Sequence, residues 1–193
     1  MNREVRLKNG AAAEVRPLTA GDVASLWACE NAITRAGEGV VRRPDQISPS
    51  PGSMVADLTG WIDGSKCGER GAFLVCVPAG GGAVMGSATV RRMFPSRIRH
   101  VAHLSVGVHP EFQGLGVGRA LMEAIIAWAE TGEGRGVTRL DLDVFAVNHR
   151  AVGLYRSLGF EIEGTRRDFV RFEDGTFSDD HVMALRVPRT KGG

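Results

Sequence analysis

The chain has 193 residues and a formal net charge of +2, with 43% hydrophobic and 24% charged residues. This length suits one domain that buries a core of its own, and the composition excludes an intrinsically disordered chain. The nearly balanced charge argues against a dedicated nucleic-acid binder. The cysteines Cys29, Cys67 and Cys76 form no C-x-x-C pair, so the sequence indicates no metal or redox site of that kind.

The beginning of the chain carries charges within residues 1–8 and lacks an apolar signal segment, which indicates a cytoplasmic protein with reduced thiols. An uncharged stretch at 71–90 has the length of a membrane span. It contains Pro78 and three consecutive glycines at 80–82, so two strands joined by a turn are expected there instead. We therefore predict one domain over residues 1–193, with neither a membrane nor a nucleic acid as its partner.

The first predicted element is a β-hairpin. Apolar and charged residues alternate over 5–8, an Asn-Gly pair supplies a turn, and a second short strand follows at 15–17. Thr19 or Asp22 can then cap a helix.

The middle of the chain changes from helical to strand periodicity. Charges, prolines and glycines predict a loop over 35–51, and the apolar spacing after it predicts a helix over 53–62. Apolar runs then predict strands at 72–77, 83–93 and 100–108.

The second half alternates helices and strands. The expected elements are a helix at 116–130, a strand at 140–144, a helix at 148–158 and two strands at 160–170 and 177–187. Strand–helix–strand order in the middle implies parallel pairing, and hairpins at both ends imply antiparallel pairing. The predicted class is therefore a mixed α/β sheet.

A glycine-rich segment joins the strand at 100–108 to the helix that follows. It reads VGVHPEFQGLGVGR over residues 106–119. Glycines let the backbone approach a ligand, and the N–H groups of a helix N-terminus favour an anion. The loop lacks the Gly-Lys-Ser/Thr of a P-loop and the spacing of a dinucleotide fingerprint. It can hold phosphate oxygens, or it can be a glycine turn without a ligand.

The pattern Gln113-x-x-Gly116-x-Gly118, after a strand that ends at Val108, resembles the coenzyme A loop of the GNAT N-acetyltransferases. In that family the loop amides bind the pyrophosphate of acetyl-CoA, and the strand end pairs with the pantetheine and the acetyl carbonyl. The resemblance implies acetyl-CoA as co-substrate and no metal. It assigns cofactor binding to Val106, Gly107, Val108, Gln113, Gly114, Leu115, Gly116, Val117, Gly118 and Arg119.

A second motif, DVFAVNHRAVGLYRSLGF over residues 143–160, is similar to another signature of the same family. In that signature an Asn opens a helix and a Tyr follows seven residues later, which returns the Tyr to nearly the same helix face. The resemblance implies that Asn148 positions the cofactor and that Tyr155, the only tyrosine, protonates the leaving thiolate. The plain alternatives are an N-cap Asn and a half-buried helix Tyr.

The resemblance implies a fold and a reaction. The fold is a mostly antiparallel sheet of about seven strands flanked by helices, with a parallel pair splayed around the acetyl-CoA site. The reaction is direct acetyl transfer to the amine of a small molecule, such as an amino acid. The alternatives are a protein N-terminus or an aminoglycoside as acceptor, or a non-catalytic acyl-CoA-binding module. Members of the family are often dimers, so a homodimer is compatible with the resemblance.

The proton acceptor is left open by the sequence. Asp143 lies five residues before Asn148, where some family members carry a carboxylate, and it is the predicted catalytic residue together with Tyr155. His100 and His103 precede the coenzyme loop, and imidazole titrates closer to neutral pH than a carboxyl group does. The two histidines have opposite parity, so a regular strand directs only one of them to the site, and a bulge would change which one. Water is a further alternative.

Charged residues elsewhere give candidates for acceptor binding. The final hairpin carries acidic residues that can attract an amine: Glu173, Asp174, Asp179 and Asp180. Several arginines can hold a carboxylate or the 3′-phosphate of the cofactor: Arg42, Arg43, Arg91, Arg92, Arg97 and Arg99. Both sets can equally be surface charges.

Overall fold

The alternating and helical patterns of the sequence produce a central sheet with helices on both faces. The computed structural model describes residues 2–37, 39–63, 65–66, 70–130, 134 and 136–188. The strands are β1 (Arg3–Arg6), β2 (Ala12–Pro17), β3 (Gly71–Pro78), β4 (Gly86–Arg92), β5 (Val101–Val108), β6 (Arg139–Phe145), β7 (Glu161–Arg171) and β8 (Phe177–Arg186). The α-helices are α1 (Val23–Ala36), α2 (Pro51–Ile62), α3 (Val117–Glu130) and α4 (His149–Ser157).

The strands form one eight-stranded sheet in the order β1-β2-β3-β4-β5-β6-β8-β7. Every neighbouring pair is antiparallel except β5 and β6, which run parallel. This arrangement confirms the predicted mixed, mostly antiparallel sheet with one parallel pair.

The parallel pair separates soon after it begins. β5 and β6 are in register only at Val101↔Arg139, Ala102↔Leu140 and His103↔Asp141. Beyond this point β5 continues to pair with β4, and β6 with β8. The backbone polar groups of β5 that face away from β4 therefore border an open gap between the two strands.

Each face of the sheet has its own apolar core. The larger cluster contains the α3 residues Leu121, Ile125 and Trp128, which are fully buried, and it extends to α4. The second cluster packs α1 and α2 against β3, with Leu26 at its centre. The two clusters fix the helices relative to the sheet and so position the loops around the gap.

The structure refines several predicted boundaries. α2 begins at Pro51 because Ser50 caps it, its hydroxyl accepting from the Ser53 N–H at 3.2 Å. α1 runs to Ala36 and enters the predicted loop at 35–51.

The uncharged stretch at 71–90 forms β3 and most of β4 as an antiparallel pair. Within the described ranges, no helix has the length and apolarity needed to cross a membrane. Cys29 and Cys76 are buried free thiols, and Cys67 lies outside the described residues.

Candidate active site

A cleft of about 850 Å³ occupies the gap between β5 and β6. It is bordered by the ends of both strands, the loop after β5, the first turn of α3, most of α4, and part of the α1–α2 connection. The glycine loop and the Asn148–Tyr155 helix therefore lie on the same cavity, although they are far apart in the sequence.

The glycine loop presents a row of free backbone donors. Gly114 and Gly116 have φ values of 80° and 99°, a region that L side chains disfavour. The first helical hydrogen bond of α3 runs from the Ala120 N–H to the Gly116 carbonyl at 3.0 Å. The N–H groups of residues 114–119 have no hydrogen-bond acceptor among the described residues. Such a run of free N–H groups at a helix N-terminus suits an anion.

Most of the residues predicted to bind the cofactor line the cleft. These are Val106, Gly107, Val108, Gln113, Gly114, Gly116, Gly118, Arg119, Asn148 and Tyr155. Leu115 packs against the core and Val117 is buried in it. Only the backbone atoms of these two residues can therefore contact a ligand in the cleft.

Cationic side chains surround the glycine loop. Lys8, which no sequence motif indicated, lines the cleft. Its backbone N–H donates to the Leu115 carbonyl at 2.9 Å. Arg119 donates to the Ser157 hydroxyl at 2.6 Å, and Arg150 donates to Oε1 of Gln113 at 2.9 Å. Guanidinium and ammonium groups beside free amides form the donor set that phosphate groups require. The residues present therefore fit a phosphate-bearing cofactor such as coenzyme A.

Asn148 and Tyr155 both lie on α4. Oδ1 of Asn148 accepts from the Ala151 N–H at 3.1 Å, so Asn148 is the N-cap of the helix as well as a wall of the cleft. Tyr155 is only 7% exposed and its ring lies 6.1 Å from that of Phe160. Burial raises the pKa of Tyr155 to about 12, so its hydroxyl keeps its proton at neutral pH.

A charged network crosses the sheet beside the cleft. Nε2 of His103 lies 3.3 Å from Oδ2 of Asp143, and Nη2 of Arg166 lies 2.9 Å from Oδ1 of Asp143. Arg166 also contacts the buried carboxylate of Asp180. The hydrogen bond with Asp180, followed by that with Asp143, raises the pKa of Arg166. Both oxygens of Asp143 are therefore engaged, one by a cation and one by an imidazole.

Only one of the two candidate histidines reaches the cleft. His103 lines it, whereas His100 precedes β5, is exposed, and lines neither this cleft nor the second cavity described below. β5 pairs with β4 from Ala102 to Val108 without a register shift, so no bulge redirects the side chains there. As expected for a regular strand, only His103 is directed to the cleft.

A bulge in β7 brings further residues to the cleft. The register with β8 shifts between Arg166 and Val170, and Asp168 has a φ of 49°. The Asp168 N–H donates to Oδ1 of Asp179 at 3.0 Å. This local turn places Arg166 over the ring of Phe169, 4.0 Å from its centroid, and both side chains line the cleft.

The acidic residues of the final hairpin have different surroundings. Asp180 is buried against Arg166 and lines the cleft. Asp174 is held in the turn by the N–H and hydroxyl of Thr176, and neither it nor Glu173 borders the cleft.

A second cavity of about 400 Å³ lies on the α1–α2 face of the sheet. It shares Ser105, Val106 and Gly107 with the cleft, so the two spaces meet at the end of β5. Of the candidate arginines, Arg42 borders both spaces and Arg91 borders the second cavity. The others border neither: Arg43, Arg92, Arg97 and Arg99.

In the part of the chain that the structure describes, no group of three or more His, Cys, Asp or Glu side chains is arranged to hold a metal ion.

Known proteins resemble this chain in sequence. Residues 42–160 match the acetyltransferase (GNAT) family. The ribosomal protein bS18-alanine N-acetyltransferase of Escherichia coli K12 is 41% identical over 83 residues, which are 43% of this chain and 53% of that protein. The L-amino acid N-acetyltransferase AaaT of the same strain is 33% identical over 103 residues, 53% of this chain and 62% of that protein. The chain thus spans about half the length of the curated relatives it matches.

Solved structures agree over a longer part of the chain. A GNAT-family acetyltransferase from Streptococcus pneumoniae has a TM-score of 0.79 at 25% identity, covering 91% of this chain and 99% of that one. A GCN5-related N-acetyltransferase from Kribbella flavida has a TM-score of 0.74 at 28% identity, covering 90% and 97%. The sequence match and the shared fold together show that this chain belongs to the GNAT family of acetyltransferases.

Proposed function

We propose that this chain is an acetyl-CoA-dependent N-acetyltransferase that acetylates the amine of a small molecule, an amino acid or a related amine. The observation that carries the proposal is the cleft between the diverging strands β5 and β6. This one space is lined by the glycine-loop residues Gly114, Gly116, Gly118 and Arg119, by the His103–Asp143 pair and by Tyr155. In this proposal residues 1–193 form one domain, and a homodimer is compatible with it.

Acetyl-CoA, when bound, supplies an acyl group activated as a thioester. The amides of residues 114–119 would hold its phosphates, with Lys8, Arg119 and Arg150 supplying positive charge. The His109 N–H bonds to Met85, just before β4, so the alternate N–H of Val108 points toward the gap. A donor in this position can stabilise negative charge that develops on a carbonyl oxygen.

His103 is suited to accept the amine proton. An alkylammonium has a pKa of about 10, so it must lose a proton before it can attack a carbonyl carbon. Arg166 and His103 each bind one oxygen of Asp143. Within the His103–Asp143 pair, the remaining ring nitrogen of His103 is therefore the atom that can accept the proton of the amine. Asp143 then holds the imidazole in place through the hydrogen bond with Nε2. In this proposal Asp143 is a positioning residue and His103 takes the proton.

Tyr155 is suited to supply a proton to the departing thiolate. Its raised pKa keeps the hydroxyl protonated at neutral pH, and Tyr155 lines the same cleft as the residues proposed to bind the cofactor. Asn148 lines the same cleft, and its Oδ1 caps α4.

The relatives support amine acetylation and differ in the acceptor that their names give. One is named for L-amino acids, and others for the alanine of a ribosomal protein. A protein N-terminus is therefore the second candidate for the acceptor.

The proposal is tested by mass spectrometry of purified protein incubated with acetyl-CoA and separate pools of amino acids, polyamines, aminoglycosides and N-terminal peptides. Product in the amino-acid pool, above a control without enzyme, is the expected result. Product only with peptides would favour the second candidate, and binding of acetyl-CoA without any product would favour a non-catalytic acyl-CoA-binding module.

A further inference from the structure

We propose that the second cavity selects free α-amino acids with uncharged apolar side chains, and that Arg91 binds their carboxylate. This inference rests on the proposed acetyl transfer, to which it adds a substrate class and a specificity-determining residue. The cavity lies between α1, α2 and strands β3 to β5, and it opens to the cleft at Ser105 and Gly107.

Arg91 lies next to the proposed proton acceptor. It is directly opposite His103 in the β4–β5 pairing, so the two side chains are on the same face of the sheet. Directly opposite residues have Cα atoms about 4.5–5.5 Å apart. The amine and carboxylate of an α-amino acid share one carbon, so the groups that receive them must be close neighbours. Arg91 and His103 meet that requirement.

The other charges around the cavity already have partners. Arg42 binds Glu30 at 3.1 Å, and Asp57 accepts from the Ser48 hydroxyl at 3.4 Å. Among the described residues, Arg91 has no carboxylate partner. An incoming carboxylate therefore gains a charge-assisted contact there without displacing another. Glu30 and Asp57 would repel an acidic side chain from the same space.

The far wall of the cavity is apolar. Met54, Leu58, Trp61 and Phe73 are each at most 9% exposed, and all four line it. The rings of Trp61 and Phe73 meet edge to face at 6.0 Å. The volume of about 400 Å³ falls within the usual range for small-ligand pockets, about 300–1,000 Å³. An aliphatic or thioether side chain matches this wall because it loses no hydrogen bonds on entry.

The first test compares L-methionine with L-methioninamide, which keeps the amine and the side chain but lacks the carboxylate. We expect kcat/KM to be about 10- to 100-fold higher for the acid, the effect of a charge-assisted contact. Arg91→Gln should abolish this preference, and Arg91→Lys should retain part of it. Arg97→Gln is the matched control, since Arg97 is exposed and lines neither cavity. L-glutamate should be a poor substrate.

A binding measurement tests the cavity without catalysis. Calorimetry should show that N-acetyl-L-methionine binds the unmodified chain more tightly than N-acetyl-L-methioninamide, and that Arg91→Gln removes the difference. Equal turnover of acid and amide, or a preference that survives Arg91→Gln, would overturn the inference. If no amine is acetylated, the proposed function fails, and the calorimetric comparison alone then decides for or against the carboxylate site.

Discussion

Nε2 of His103 lies 3.3 Å from Oδ2 of Asp143, although the two residues belong to strands that stop pairing at His103. Arg166, from a bulged part of β7, binds the second oxygen of Asp143. Three strands therefore converge on one carboxylate at the edge of the cleft. Among the described residues, the other ring nitrogen of His103 has no hydrogen-bond partner.

Replacing His103 by Gln should lower kcat/KM by about 100- to 1,000-fold, the usual contribution of a positioned base. The loss should be smaller at high pH, where more of the amine is already deprotonated. His100→Gln is the matched control because His100 is exposed and outside both cavities. Steady-state kinetics over a pH series measure both variants. Equal rates for His103→Gln and the wild type would show that His103 does not accept the amine proton.

Tyr155→Phe should keep the affinity for acetyl-CoA and slow acetyl transfer, because the ring remains while the proton donor is lost. We expect kcat to fall by about 100-fold or more. Calorimetry and kinetics on the same preparation separate the two effects. A variant with wild-type kcat would show that another group protonates the thiolate.

The ionisation of Tyr155 can be followed directly, because it is the only tyrosine in the chain. Burial raises its pKa to about 12, so phenolate absorbance should appear near pH 12 and not near 10 in the folded protein. Since the folded pKa lies above the unfolded one, this group contributes stability below pH 10 that is lost as the pH rises through 12. Phenolate absorbance near pH 10, while the far-ultraviolet dichroism is still native, would contradict the buried position.

Gly116→Ala should weaken acetyl-CoA binding by at least tenfold, because a Cβ at a φ of 99° forces the loop and its free amides to move. Gly175→Ala is the matched control. Gly175 has a φ of 86° in the β7–β8 turn with no neighbour near a Cβ, so its replacement strains the backbone away from the cleft. Calorimetric titration should show a weaker affinity only for Gly116→Ala. Equal affinities of Gly116→Ala and Gly175→Ala for acetyl-CoA would show that the glycine loop does not bind the cofactor.

Asp22→Asn should destabilise the fold at neutral pH. Arg16 binds both oxygens of Asp22, at 2.7 and 2.8 Å, and this contact, with those from Thr19, lowers the pKa of Asp22 to about 2. A lowered folded pKa means that the stability is present above about pH 4 and is lost as the pH falls through 2. We expect the free energy of unfolding to drop by about 2 kcal/mol at pH 7.

The measurement for Asp22→Asn is denaturant unfolding at several pH values. The difference from the wild type should shrink as the pH falls through 2, because the wild type then loses the ion pair that the variant lacks. Asp45→Asn, at an exposed position between α1 and α2, serves as the control and should leave stability nearly unchanged. A difference that stays constant with pH would contradict the assigned pKa.

Local sequence patterns are sufficient to predict most of the helices and strands of the fold. The glycine loop and the Asn148 cap depend on residues close together in the sequence, so residue type and order predict both. α2 begins at Pro51, two residues before the predicted start at 53, because Ser50 caps the helix and the proline occupies its first turn. A proline in the first turn of a helix does not interrupt its hydrogen bonds.

The remaining features of the site depend on long-range pairing. Lys8 reaches the glycine loop because its N–H bonds to Leu115, more than 100 residues away in the chain. Arg166 reaches Asp143 through the bulge in β7, and Arg91 lies opposite His103 only because of the β4–β5 register. None of these contacts follows from spacing along one segment.

The most direct test of the proposed site is a crystal structure of the chain with coenzyme A and N-acetyl-L-methionine. We expect the pyrophosphate to contact the amides of residues 114–119 and the sulfur to lie beside the Tyr155 hydroxyl. We also expect the carboxylate of the product to bind Arg91 in the second cavity, with the acetylated nitrogen facing His103. Coenzyme A bound outside the gap between β5 and β6, or a product molecule that avoids the second cavity, would contradict the proposed site.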